Sequence, residues 1–201
     1  MNKAFYKDLV LETSESVYEP REDSFLLAEQ VEKHARGEVL DLGTGSGLQA
    51  ILASRSGQVT NVLAVDVNED ALRNAENNLS NAKGVLHPVK FRKTDLFSMI
   101  GEKFDCIIFN PPYLPTNTDE KVSGELNKAL DGGVDGRTVL RKFLKFFHMH
   151  LKKNGCLLLL SSSLNDNDWV QRELESKGFK VAVLSEQNIF FEKLVVFKAE
   201  R

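Results

Sequence analysis

The sequence has 201 residues, 42% of them hydrophobic, which is enough for the core of one domain of ordinary size. Its 29 acidic and 26 basic side chains give a net charge of -3, which disfavours a dedicated nucleic-acid binder. The longest aliphatic run, at residues 157–160, is far shorter than the ~20 residues of a membrane helix, and the N-terminus lacks an apolar signal core. We therefore expect a soluble, cytoplasmic, single domain over residues 1–201.

Short apolar runs alternate with helical patterns along the chain, which predicts a mostly parallel sheet covered by helices. The predicted strands are 38–41, 61–66, 89–92, 104–110, 156–161, 180–184 and 194–198. The predicted helices include 48–56, 70–81 and 138–151, with Asn68 and Asn165 as candidate N-caps. The last two strands are too close together for a parallel crossover, so we expect an antiparallel pair.

Two cysteines, Cys106 and Cys156, lie inside predicted strands. Their surroundings are apolar and carry no metal-ligand spacing. We therefore expect buried free thiols and predict no metal site.

A glycine-rich turn follows the first predicted strand, with Gly43, Gly45 and Gly47 spaced by two. Glycines let the backbone approach a ligand where a Cβ would collide. The third glycine comes one residue too early for a dinucleotide loop, and Asp41 before the turn would repel a phosphate. An acid there suits an ammonium or sulfonium group instead. The turn therefore predicts S-adenosylmethionine as the ligand.

Acidic residues also end or follow the next two predicted strands. Asp66 ends the second strand, where a carboxylate can accept the ribose hydroxyls, as the acid of dinucleotide folds does. Asp95 follows the third strand and is placed to meet the adenine amino group. The order of these features on successive strands supports the cofactor assignment.

The fourth predicted strand runs into Asn110, Pro111, Pro112 and Tyr113. The prolines remove two amide donors, so acceptors face the pocket beside the asparagine side chain. The Asn110 side-chain oxygen and the Pro111 carbonyl can each accept one hydrogen of a planar NH2 group, which aligns its nitrogen with a methyl donor. Tyr113 can form a flat wall that excludes water. Residues 113–137, rich in Pro, Asn, Asp and Gly, are predicted to form an active-site loop.

The chain resembles the HemK-like protein-glutamine methyltransferases, in particular their archaeal and eukaryotic branch. The matching segments are residues 17–27, 41–47, Asp66, 110–113 and 132–137, spread over nearly the whole chain. The first of them is the most specific to the branch. Bacterial relatives have a separate N-terminal helical domain, for which there is no room before Val17.

The resemblance implies a Rossmann-like class I methyltransferase fold, an α/β architecture whose seven-stranded sheet has the order 3-2-1-4-5-7-6 and helices on both faces. It also implies that the segment within residues 1–36 covers the cofactor. The assigned cofactor contacts are Tyr18, Glu19, Ser24, Asp41, Gly43, Gly45, Gly47, Asp66, Val67, Asp95, Leu96 and Asn110. Asn110 and Tyr113 are expected to touch the substrate as well.

The expected reaction is transfer of a methyl group from S-adenosylmethionine to the side-chain amide of glutamine in the Gly-Gly-Gln loop of a class 1 release factor. The resemblance also implies a small zinc-binding activator at the edge formed by the third strand, near Val89 and Phe91. Rival acceptors are the exocyclic amine of adenine and a protein lysine. A non-enzymatic cofactor-binding scaffold is a further alternative, against which the intact Asn110 motif argues.

Overall fold

The computed structural model describes residues 1–115 and 130–201, so residues 116–129 of the predicted active-site loop lie outside the described part. A hairpin of β1 (Asn2–Tyr6) and β2 (Leu9–Thr13) comes first. The other described strands are β3 (Gly37–Leu42), β4 (Val59–Asp66), β5 (Val89–Lys93), β6 (Phe104–Phe109), β7 (Leu151–Ser162), β8 (Lys180–Ile189) and β9 (Glu192–Glu200). The α-helices named here are α1 (Glu22–His34), α2 (Leu48–Ser54), α3 (Glu69–Asn81), α4 (Thr138–Phe146) and α5 (Asn167–Ser176).

Seven strands form one sheet in the order β5-β4-β3-β6-β7-β9-β8. When the N-terminal hairpin is set aside, this is the predicted order 3-2-1-4-5-7-6. The pairs among β3 to β7 are parallel, whereas β9 is antiparallel to both β7 and β8. The predicted antiparallel end of the sheet is therefore confirmed.

The sheet is covered on both faces, which is why its central strands are apolar on both sides. In β3, Val39 belongs to the core shared with α1 and α2, whereas Leu40 belongs to the core that includes Leu140, Phe143 and Leu144 of α4. Parallel strands packed in this way place the carboxyl ends of β3, β4 and β6 at the same edge of the sheet. Ligands bind at such an edge in open α/β sheets.

Several details differ from the sequence prediction. The hairpin of β1 and β2 is not predicted, β7 and β8 are longer than expected, and a 3-10 turn (Phe147–Met149) follows α4. Asn68 is confirmed as an N-cap, because its side chain accepts the Asp70 N–H at 2.9 Å. The assignment of Asn165 as the cap of α5 is wrong, since Asp166 accepts the Trp169 N–H at 3.1 Å.

The two cysteines are buried, free and opposite each other in register on β6 and β7, which confirms the prediction of buried free thiols. Within residues 1–115 and 130–201, no helix is both long and apolar enough to cross a bilayer.

Candidate active site

A cavity of about 950 Å³ lies at the carboxyl ends of β3, β4 and β6, between these strands and the segment that leads into α1. A volume of this size lies at the upper end of the ~300–1,000 Å³ typical of small-molecule sites. Of the residues assigned from the sequence, the cavity is lined by Tyr18, Glu19, Ser24, Gly43, Gly45, Asp66, Val67, Asp95, Leu96, Asn110, Pro111, Pro112 and Tyr113. Asp41 and Gly47 do not line it.

Two glycines of the turn after β3 have different structural roles. Gly45 has a φ of +54° and lines the cavity. A Cβ on Gly45 would meet only the carbonyl oxygen of Gly43, at 4.0 Å. Gly47 has a φ of +85°, and a Cβ there would come within 2.9 Å of the Ala75 Cβ. Gly45 therefore leaves room for a ligand, whereas Gly47 allows the start of α2 to pack against α3.

Asp41 stabilises the glycine-rich turn after β3 through a hydrogen bond. Its side chain is 2% exposed and accepts the Thr44 hydroxyl hydrogen at 2.7 Å. Burial raises the pKa of Asp41 to about 7, although the hydrogen bond from Thr44 opposes the shift and the nearby Asp66 carboxylate adds to it. In this structure the acid expected to face a cationic ligand instead braces the backbone that faces the cavity.

Asp66 joins the turn to the start of α3. One carboxylate oxygen accepts the Gly45 N–H at 3.0 Å and the other accepts the Asn68 N–H at 2.9 Å. Asp66 also lines the cavity, and these two hydrogen bonds hold its carboxylate in a fixed orientation at the cavity wall. Leu96, which lines the same cavity, adopts a φ of +48°, which is unusual for a bulky side chain.

The Asn110 amide is oriented by a buried carboxylate. Its Nδ2 donates to Asp23 Oδ2 at 2.9 Å, while Asp23 Oδ1 accepts the hydroxyl hydrogens of Tyr18 at 3.1 Å and of Ser24 at 3.2 Å. Burial raises the pKa of Tyr18, and the Asp23 carboxylate raises it further, so the phenol stays protonated and can donate.

This arrangement leaves one strong acceptor at the centre of the site. Asn110 Oδ1 is buried and has no hydrogen-bond partner among the described residues. A buried polar atom without a partner costs stability, typically ~1–3 kcal/mol, and such atoms persist where a ligand completes them. Sequence reasoning predicted the acceptor oxygen but missed Asp23, the residue that fixes its direction.

Tyr113 is held by the turn that precedes α4. Asn165 is fully buried, and its Nδ2 donates to the carbonyls of Gly136 at 2.5 Å and Tyr113 at 3.3 Å. A Cβ on Gly136 would lie 2.5 Å from the backbone carbonyl oxygen of Tyr113, so only glycine allows this close approach. Residues 132–137, one of the segments that carry the resemblance, thus pack directly against the Asn-Pro-Pro-Tyr segment, and Asn165 links the two.

The N-terminal segment is seated on α3 by asparagine side chains. Asn78 accepts the Glu12 N–H at 2.9 Å and donates to the carbonyls of Glu12 and Ser46. Asn74 donates to the Glu12 carbonyl and accepts the Ser14 N–H at 3.1 Å. Two asparagines four residues apart share a helix face, and this spacing is the sequence signal that could have indicated their role. They fix the chain just before it forms the cavity wall at residues 15–24.

The cavity is acidic. Its described lining includes one arginine, Arg21, and seven carboxylates: Glu15, Glu19, Glu22, Asp23, Asp66, Asp95 and Glu192. Such a lining favours cationic ligands and repels phosphates.

Comparisons with known proteins identify the family. The family model described as "Methyltransferase small domain" matches residues 19–190. A putative protein N5-glutamine methyltransferase of Methanocaldococcus jannaschii is 40% identical over 92% of this chain and 92% of that protein. Human methyltransferase HEMK2 is 30% identical over 90% of this chain and 88% of its own length.

Among solved structures, the E. cuniculi Mtq2–Trm112 complex, described as responsible for methylation of the translation termination factor eRF1, superimposes with a TM-score of 0.72. The sequences are 27% identical, and the match covers 92% of this chain and 99% of the other.

Proposed function

This chain belongs to the HemK-like family of protein-glutamine methyltransferases, and we propose that it methylates the side-chain amide nitrogen of glutamine in the Gly-Gly-Gln loop of a class 1 release factor. The observation that carries the proposal is Asn110 Oδ1, which is buried in a cavity of a methyltransferase fold and has no hydrogen-bond partner among residues 1–115 and 130–201. Such a substrate would place the protein in the cytoplasm, where translation takes place.

The residues of the cavity fit S-adenosylmethionine. The acidic lining suits a cofactor with a sulfonium and an ammonium group, and Gly45 leaves space beside the backbone. We assign Asp66 to the ribose, and Val67, Asp95 and Leu96 to the adenine, because they line the cavity at the ends of β4 and β5. Tyr18, Glu19 and Ser24 would cover the cofactor from the N-terminal side, which is the role proposed for the segment within residues 1–36.

The bound cofactor supplies an electrophilic methyl group, and the chain must present a poorly nucleophilic amide nitrogen to it. Asn110 Oδ1 would accept one hydrogen of the glutamine NH2 group and the Pro111 carbonyl the other. Tyr113 would border the amide plane and exclude water. Because the amide lone pair is delocalised, alignment and electrostatics account for most of the rate acceleration. The nitrogen becomes strongly acidic as it gains the methyl group and would lose one proton to solvent, leaving the N-methyl amide and S-adenosylhomocysteine as products, so no general base is assigned.

A labelled-methyl assay tests the substrate. We expect label on a release factor incubated with the protein and any required activator, and none on the same factor with its loop Gln→Ala. Parallel reactions contain duplex DNA, single-stranded DNA and a lysine-rich protein. Labelling of DNA adenine or of lysine, with none on the release factor, would contradict the proposal. The acidic cavity makes nucleic acid the poorer candidate, because phosphate neutralisation dominates nucleic-acid affinity.

A partner is proposed at the β5 edge of the sheet. β5 is the terminal strand and pairs only with β4 among the described strands, so one edge carrying Val89 and Phe91 can accept a strand from another chain. Leu86 and Met99 nearby are 62% and 68% exposed. We propose that a small zinc-binding activator, comparable to the Trm112 subunit of the similar complex, docks on this surface.

Leu86→Asp and Met99→Asp are expected to weaken activator binding by ~10-fold or more each, because a charge would be buried in an apolar contact. Pull-down and calorimetry with a Trm112-like protein measure the effect. Val10→Asp, on the exposed face of the N-terminal hairpin, is the matched control and should bind normally. The assignment fails if the purified chain alone is fully active and monodisperse and ignores the activator.

A further inference from the structure

The hairpin between β8 and β9 ends in two exposed phenylalanines. Ile189 and Glu192 are paired in register, so Phe190 and Phe191 form a two-residue turn. Such turns favour Gly, Asn or Asp, because they require a positive φ. Phe190 nevertheless has a φ of +35°, and the relative exposures of the two residues are 104% and 99%. Neither the turn geometry nor the core requires phenylalanine here, which suggests a role in binding.

The tip of this hairpin stands at the mouth of the active-site cavity. Asn188, Ile189, Phe190 and Glu192 line the same cavity as Asn110 and Tyr113. Glu192 is anchored at the end of β7 by a short hydrogen bond from the Ser162 hydroxyl. Burial raises the pKa of Tyr113, with smaller contributions from Asp23 and then Glu192, so the Glu192 carboxylate lies near the phenol expected to border the substrate.

The charge around the mouth restricts what the phenylalanines can contact. Exposed aromatic side chains can stack on unpaired bases or insert into a lipid surface. Both partners bring phosphates, and the cavity lining carries seven carboxylates against one arginine. An apolar patch on a protein is the partner that suits both the aromatic tip and the acidic surroundings.

We propose that Phe190 and Phe191 dock onto an apolar patch of the folded protein substrate beside the loop that carries the acceptor glutamine. This inference rests on the proposed function and adds to it how a folded substrate is held. Phe190 contacts the substrate at the cavity mouth, and Phe191 extends the contact outward. Aromatic side chains account for much of the binding free energy in many protein interfaces.

The test compares a full-length release factor with a short peptide containing the Gly-Gly-Gln sequence. For the Phe190→Ser/Phe191→Ser double variant, we expect kcat/KM for the release factor to fall ~30-fold, mainly through a higher KM, and kcat/KM for the peptide to fall much less. The Kd for S-adenosylhomocysteine should stay within about two-fold of the wild-type value, because neither phenylalanine is among the residues assigned to the cofactor.

Phe5→Ser is the matched control. Phe5 is 67% exposed on β1 and does not line the cavity, so the KM for the release factor should stay at the wild-type value. An unchanged KM for the release factor in the double variant would overturn the docking role, and so would equal losses on protein and peptide. If the wild-type protein, assayed with the Trm112-like activator, labels neither the release factor nor the peptide, the proposed function fails first, and the docking role fails with it.

Discussion

Replacing Asn110 with alanine is expected to lower turnover by ~100-fold or more, because the substitution removes the acceptor that orients the glutamine nitrogen. The fold should survive, since Asn110 Oδ1 has no partner among the described residues and Asp23, which loses the hydrogen bond from Asn110 Nδ2, still accepts from Tyr18 and Ser24. Single-turnover methylation of a release factor measures the effect, and circular dichroism and thermal unfolding report on the fold.

Asn77→Ala is a suitable control, because Asn77 is exposed on α3 and does not line the cavity. It should retain wild-type turnover. Near-normal turnover of the Asn110→Ala variant would rule out the proposed acceptor role.

The contact between Asn110 and Asp23 makes a second measurement informative. Asp23→Ala removes the acceptor of Asn110 Nδ2, so the amide can rotate and present either its oxygen or its NH2 group to the substrate. Turnover should fall by ~10-fold, because the productive orientation is no longer fixed. In the double variant, Asp23→Ala should add little to Asn110→Ala, since both act on the same hydrogen bond. Additive losses would show that Asp23 acts separately, for example on the cofactor.

Much of the sheet was predictable because its central strands are buried on both faces. Unbroken apolar runs lie within β4 at residues 62–65, within β6 at 106–109 and within β7 at 156–160, and each run is followed by a turn or a helical pattern. The sheet order was implied by the resemblance rather than by periodicity. The C-terminal half of β8 was not predictable, because its polar residues 185–188 carry no apolar alternation and are placed by pairing with β9.

The N-terminal hairpin was missed for a physical reason. In β1 and β2 the buried residues alternate, but the exposed positions include Phe5 and Val10, which hide the period of two. The turn at Lys7 and Asp8 has no glycine or asparagine to mark it, although Lys7 adopts a φ of +52°. Apolar residues on the solvent face and an unusual turn together removed the signal.

The candidate site was predicted in its residue types better than in its contacts. Asp41 was expected to face the ligand, yet a position inside a strand buried on both faces directs its carboxylate to Thr44. Asn165 was interpreted as a helix cap and instead holds the carbonyls of Tyr113 and Gly136. Both outcomes depend on contacts between segments far apart in sequence, which local patterns do not specify.

Asp66→Ala is expected to weaken cofactor binding by ~10- to 100-fold, because hydrogen bonds to a charged group are each worth ~1.5–3 kcal/mol. Calorimetry with S-adenosylhomocysteine measures the change. Glu69→Ala is the matched control, since Glu69 is an exposed carboxylate three residues away that pairs with Lys93 and does not line the cavity. Unchanged affinity in the Asp66→Ala variant would contradict the assignment.

A lower affinity alone would not prove that Asp66 binds the ribose, because the carboxylate also accepts the N–H groups of Gly45 and Asn68 and its loss disturbs the turn. Comparing S-adenosylhomocysteine with its 2′-deoxy and 3′-deoxy analogues separates the two effects, since the disturbance of the turn weakens every ligand alike. The wild-type protein should bind at least one deoxy analogue ~10-fold more weakly than the parent compound. The Asp66→Ala variant should bind all three ligands with nearly equal affinity. If the variant still discriminates as the wild type does, Asp66 holds the turn and another residue binds the ribose.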